Sequence, residues 1–154
     1  MTVFLIRHAK AEDASPDAAR RLTTAGRSHA RALGKFLGRS EAFAPAVLWH
    51  STLVRARETA ELVAAGLPAP APLEEIEGLA PEDDPRAFAS RLRSAPDPLA
   101  IVGHEPFLGS LASLLVTGAP DPVCFHVRKG AVIALEGAGR RWVVRWHLSP
   151  ELLP

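Results

Sequence analysis

Residues 1–12 read MTVFLIRHAKAE and residues 99–106 read LAIVGHEP. Each opens on a short apolar run with β-branched members and stops at a polar pair, the pattern of a strand buried on both faces where it leaves its sheet. The first run, residues 2–6, ends at Arg7-His8; the second, residues 99–102, ends at Gly103-His104. Residues 46–49 (AVLW) end in the same manner, at His50-Ser51. Between these runs the apolar residues change to helical spacing. Thr23 is placed to cap a helix whose Ala30, Leu33, Phe36 and Leu37 share a face and which stops at Gly38. A second helix is expected from Ser51 to about residue 65, with Ser51 as its cap, and a third over residues 85–94 with Pro85 in its first turn. A fourth carries Phe107, Leu108, Leu111, Leu114 and Leu115. A weak strand near residues 72–76 and a terminal pair near 131–135 and 142–146 complete the set.

This alternation predicts an α/β fold: a three-layer sandwich with a mostly parallel central sheet, helices on both faces and an antiparallel member from the last pair. With 154 residues and neither repeat nor composition break, the expectation is a single domain over residues 1–154. Trp142 and Trp146, four residues apart on one strand, are expected to pack on the same face.

Composition narrows the function classes. A formal charge of +1, from 18 basic and 17 acidic residues, argues against a nucleic-acid partner. Apolar runs such as SLASLLVTG fall far short of the roughly 20 residues that span a bilayer, so no membrane partner is expected. The single cysteine, Cys124, cannot build a disulfide framework; it is read as a buried or half-buried thiol, and a reducing cytoplasmic home follows. His29, His50, His126 and His147 show no paired ligand spacing, so no metal site is expected.

In an open α/β sheet, ligands bind beyond the carboxyl ends of the strands. If the three strands are neighbours, Arg7, His8, His104 and, one helical turn after Ser51, Arg55 converge on one crevice. Guanidinium forks match phosphate oxygens. Their charge also depresses a neighbouring histidine's pKa, keeping the imidazole neutral and nucleophilic. Lys10 and Lys129 could widen the basic field, although exposed lysines are more often simply solvated.

The residues carry a resemblance to a known family. VFLIRHAKAE resembles the signature of the histidine phosphatase, or phosphoglycerate mutase-like, superfamily, and three further elements follow in order. These are Leu22-Thr23 with Gly26 and Arg27, then HSTLVRARETAE at residues 50–61, then IVGHEP at 101–106. The resemblance implies that His8 is the nucleophile and becomes transiently phosphorylated. It implies that Arg7, Arg55 and His104 line the phosphate pocket with His8 and that no metal or organic cofactor is needed; Ser51, at the entry to its helix, could also touch the phosphate. The short chain is most similar to the small SixA-type phosphohistidine phosphatase branch, whose partner would be a phosphorylated protein, with inorganic phosphate as product. Short connections predict an open pocket. The alternatives are a phosphatase for a small phosphorylated molecule and a phospho-binding module without turnover.

Three positions depart from the family pattern: Ala9 for glycine, Arg21 for proline, and Glu105 where a neutral residue is common. Glu105 either tunes His104 or points to solvent. The general acid is open among Glu74, Glu75, Glu77, Asp83, Asp84 and water, with Glu77 the choice.

Overall fold

The computed structural model describes all of residues 1–154. Strands β1 (Thr2–Arg7), β2 (Val47–His50), β3 (Leu73–Glu75) and β4 (Leu99–Gly103) alternate with helices α1 (Thr24–Leu37), α2 (Val54–Ala64), α3 (Pro85–Arg91) and α4 (Phe107–Thr117). A terminal hairpin, β5 (Val132–Ala138) and β6 (Arg141–Leu148), follows. All six strands form one sheet in the order β3-β2-β4-β1-β5-β6. The β3-β2, β2-β4 and β4-β1 pairs are parallel, whereas β5 runs antiparallel to both β1 and β6.

Alternation along β1 sorts its side chains between two cores. Val3 and Leu5 pack with Phe88 of α3, with Leu92 just beyond it, and with Phe107, Leu108 and Leu111 of α4. Phe4 and Ile6 pack with Leu33, Leu37, Ala56, Ala60 and Val63 from α1 and α2. The sheet is thus sandwiched between two helical layers, as the residue pattern predicts. The tryptophans are an exception. Trp142 is buried in the first core, while the half-buried Trp146 lies against the second. The β5-β6 register pairs Ala134 with Trp146 but Leu135 with Val144, so Arg145 is bulged out between them. One extra residue reverses the facing of everything beyond it, which separates the two rings.

Two local features lock the first half of the chain. Thr23 Oγ1 accepts from the Gly26 amide, the cap expected at the start of α1. A Cβ at Gly26 would lie 2.1 Å from the Lys10 carbonyl oxygen, so only glycine lets α1 approach the segment that follows β1. Helix α2 begins three residues later than the sequence reading, at Val54, and Ser51 is not its cap. Ser51 Oγ instead accepts from the Leu53 amide in the turn ahead of the helix.

Glu58 of α2 is 4% exposed and gathers the entry to α1 around its carboxylate. It accepts from the Leu22 amide at 2.8 Å, from Arg21 Nε at 2.9 Å and from Arg27 Nη1 at 3.0 Å. Burial opposes its ionisation, but the Leu22 amide and the two guanidiniums outweigh burial and hold the carboxyl below its ordinary pKa. Removing the carboxylate leaves the buried Leu22 amide unsatisfied, while the more exposed Arg21 and Arg27 turn to solvent. Glu58→Ala should therefore lower the urea unfolding free energy by about 1–3 kcal/mol; a loss under about 0.5 kcal/mol would mark the cluster as an ordinary surface pair.

Candidate active site

The sheet order makes β4 the meeting point of the cluster. In parallel register Arg7 of β1 lies opposite Gly103, and His50 of β2 lies opposite Val102. The residues that follow, His8, Ser51 and His104, therefore emerge side by side at one end of three adjacent strands. The His8 amide donates to the Gly103 carbonyl, and the Ser51 amide donates to the Val102 carbonyl. The His8 and His104 rings stand 5.1 Å apart between centroids. Ser51 Oγ lies 2.8 Å from His104 Nε2.

His8 is 5% exposed, and its Nδ1 is 2.7 Å from the Ala9 carbonyl oxygen. A carbonyl only accepts, so Nδ1 carries the proton and Nε2 carries the lone pair. Burial lowers the His8 pKa to about 4, and the charges of Arg55, Arg7 and Lys129 act in the same direction; the Ala9 hydrogen bond opposes them. Burial likewise lowers His104 to about 3, with His8, Arg55 and Arg7 adding to the shift and Asp17 opposing it. Both rings are neutral at pH 7.

The two arginines are held by different parts of the chain. Arg7 Nη1 donates to the Val127 carbonyl at 3.1 Å. Burial lowers its pKa and the Glu105 charge opposes the shift. Glu105 does neither of the two things open to it on sequence grounds: its Oε2 accepts from the Gly109 amide and its Oε1 from the Val127 amide at 2.6 Å. It thereby pins the Val127 peptide, whose carbonyl in turn holds Arg7. Arg55, 4% exposed, reaches an exposed residue that the sequence reading missed. Its Nη1 donates to the Asp17 carbonyl and its Nη2 to Asp17 Oδ2 at 3.2 Å. Asp17 also accepts from Arg20; this bond is the largest influence on its carboxyl, and together with the Arg55 charge and hydrogen bond it outweighs burial and keeps the carboxyl below the ordinary range. The Asp17/Arg20 spacing of three signals that pair alone and gives no sign of Arg55. Thr59 ties the cluster to α2, accepting from the Ala9 amide and donating to the Arg55 carbonyl.

Arg7 Nε, Arg55 Nε and His104 Nδ1 are buried and without a hydrogen-bond partner. Buried polar nitrogens are ordinarily satisfied, so three in one cluster define a place where an anion is welcome. None of the acids considered for proton donation is hydrogen-bonded to this cluster. Glu77 is exposed, and its carboxylate makes no hydrogen bond or ion pair; only its backbone carbonyl is engaged, by Arg91. Glu74 accepts from Trp49 Nε1, Asp83 from the Ala80 amide, and Asp84 caps α3. Glu75 is exposed. Cys124 is exposed rather than buried, because it sits in the loop between α4 and β5. No group of three or more His, Cys, Asp or Glu side chains is arranged to hold a metal ion, and no helix is long and apolar enough to cross a membrane.

The chain is similar to known proteins in both sequence and fold. The sequence model of the histidine phosphatase superfamily (branch 1) matches residues 3–81. The chain is 32% identical over 159 residues to an uncharacterized protein of Picosynechococcus sp., covering 99% of this chain and 93% of that one. It is 29% identical over 155 residues to the phosphohistidine phosphatase SixA of Escherichia coli K12, covering 97% and 94%. The solved structure of the protein histidine phosphatase SixA complexed with tungstate superposes with a TM-score of 0.86 at 25% identity, over 100% of both chains. The alpha-ribazole phosphatase of Shigella flexneri, at 19% identity and a TM-score of 0.81 over 97% of each chain, shares the fold.

The neutral state of His8 is directly measurable. Because its pKa is lowered, the ring stays unprotonated as pH falls through the usual histidine range. In the His8 imidazole carbon-proton NMR signal, assigned by comparison with His8→Ala, the midpoint should fall near pH 4. A midpoint at or above the ordinary value of about 6.5 would contradict the electrostatic account.

Proposed function

The chain belongs to the histidine phosphatase superfamily, and from that premise we propose that it removes phosphate from phosphohistidine on a signalling or phosphotransfer protein, in the cytoplasm, by way of its own phosphorylated histidine. SixA-like relatives support a phosphatase of this kind. Tungstate in one of them is a tetrahedral oxyanion, the shape that two guanidiniums and a histidine would bind here.

In this reading His8 Nε2 attacks phosphorus in line with the leaving group. Arg7, Arg55 and His104 Nδ1 take the equatorial oxygens and stabilise the charge that develops on them. For His104 Nδ1 to donate, its Nε2 must accept, and Ser51 Oγ at 2.8 Å can supply that proton while accepting from Leu53. The P–N bond of the substrate breaks as the P–Nε2 bond forms. Its electron pair returns to the departing imidazole, which leaves neutral because its other nitrogen already carries a proton. Water then attacks phospho-His8, the P–Nε2 pair returns to the ring, inorganic phosphate departs, and the proton lost by water passes to solvent. The positive charge comes from side chains, so the reading needs neither a metal nor a cofactor.

The observation that favours phosphohistidine over an ester is the state of the carboxylate beside Arg55. An alkoxide leaving group needs a proton from an acid, a contribution of 10²–10⁴-fold by typical magnitude. Asp17 is held ionised by Arg20 and Arg55 and is a poor donor, and the exposed Glu77 carboxylate makes no hydrogen bond to the cluster. Protonated imidazole needs no such donor.

The test is phosphate release, with chelator present, from a phosphohistidine peptide and from glycerol phosphate, by wild type and His8→Ala. The proposal expects turnover of the phosphohistidine peptide to exceed that of the ester by about a hundredfold, the scale of an absent general acid, and to vanish in the variant. Equal turnover of the ester would overturn it in favour of a small-molecule phosphatase. Phosphate binding with no release from either would overturn it in favour of a binding module.

A further inference from the structure

Beyond Arg7 the surface opens into a cleft of about 490 Å³ that the phosphoryl chemistry leaves unused. It is lined by Arg7, His29, His126, Arg128, Lys129 and Glu151, with Pro150 beside the last. The turn that carries Arg128 and Lys129 is fastened to the active-site strand. Gly130 donates its amide to the Arg7 carbonyl, the Arg7 amide donates to Ala131, and Arg7 Nη1 holds Val127. Arg7 thus belongs to the cleft and to the phosphate cluster at once, and any group seated in the cleft lies next to the phosphorylated residue.

One carboxylate already sits in this cleft. Glu151, in the single 3-10 turn Pro150–Leu152 near the carboxyl end of the chain, forms an ion pair with Arg128 and is steadied by Ser149. Lys129 has no ion-pair partner, and His29 and His126 are exposed with no side-chain hydrogen bond. The cleft therefore holds an excess of cationic and donor groups over its one internal acid, and lacks the apolar wall that would seat a sugar ring or a base.

We infer that this cleft is a docking subsite for carboxylate side chains flanking the phosphorylated residue of a protein substrate, with Glu151 as the internal occupant that an acidic substrate segment displaces from Arg128. The inference rests on the phosphoprotein reading above and deepens it, since it gives the partner a charge. Charge complementarity of this exposed kind chiefly selects the partner and speeds encounter, and it fades with added salt. The phosphate cluster alone would treat all phosphohistidines alike; the cleft makes the enzyme prefer those in acidic surroundings.

Two phosphohistidine peptides of equal length, one with aspartates and one with serines around the phosphorylated residue, provide the test, with phosphoramidate as the small reference. Wild type should show a kcat/KM for the aspartate peptide about tenfold above the serine peptide, the scale of a few exposed charge pairs. Arg128→Glu should erase that preference and leave phosphoramidate hydrolysis unchanged. Glu151→Gln should raise kcat/KM on the aspartate peptide by about twofold. Equal kcat/KM on the two peptides for wild type would overturn the inference. So would a loss in Arg128→Glu as large on phosphoramidate as on the aspartate peptide, which would make the cleft part of the phosphate pocket. If neither peptide is hydrolysed, the phosphohistidine reading fails by itself, and the docking inference is decided by direct binding of the dye-labelled, unphosphorylated aspartate peptide. Saturable binding weakened by Arg128→Glu upholds it, and binding indifferent to Arg128 overturns it.

Discussion

The hydrogen bond between His8 Nδ1 and the Ala9 carbonyl determines which nitrogen of the site carries a lone pair, and the rest of the architecture follows from protecting that lone pair. A histidine at the surface would share its two tautomers and take up a proton in mildly acidic solution. Here the carbonyl of the next residue claims Nδ1, and burial beside two guanidiniums makes a second proton unwelcome. In the proposed reaction the same positive charges that keep the ring neutral would take the oxygens of an incoming phosphoryl group, so one electrostatic arrangement would both prepare the nucleophile and attract its target.

Such a concentration of like charge has to be held in place, and the scaffold does so mainly through backbone groups. Arg7 is held by the Val127 carbonyl, which Glu105 fixes through its amide. Arg55 is braced at its far end by Asp17 and at its backbone by Thr59. Ser51 joins His104 to the start of α2, and Glu58 gathers Leu22, Arg21 and Arg27 so that α1 lies against α2. None of these supports has to act on a substrate. Each limits the freedom of a side chain whose placement within a fraction of an ångström matters to transfer.

Much of this was legible in the residues. Every helix and strand expected from periodicity is present within a few residues, because buried parallel strands and amphipathic helices write their burial directly into spacing. Convergence of Arg7, His8, Ser51, Arg55 and His104 needed one further fact, that β4 lies between β1 and β2, which the spacing of residues along the chain does not give. What escaped was contact between a side chain and a distant backbone group. Asp17 meets Arg55 across 38 residues, and Glu105 reaches the Val127 amide across 22, and no local pattern encodes either. The Trp142/Trp146 reversal depends on a bulge at Arg145, which changes facing without changing composition. Cys124 is exposed because the stretch between α4 and β5 is loop, where even its apolar neighbour Val123 faces solvent.

The central claim is that Nε2 of His8, and no other atom, receives the phosphoryl group. Acid-stable trapping is not possible for a phosphohistidine, so the direct measurement is rapid alkaline quenching of the enzyme during turnover, followed by phosphorus NMR and fragment mass spectrometry of the labelled segment. The account predicts one phosphoryl group on His8, with the chemical shift of the Nε2 isomer, because Nδ1 is committed to Ala9. Label on Nδ1 of His8, on His104, or on any other residue would contradict it.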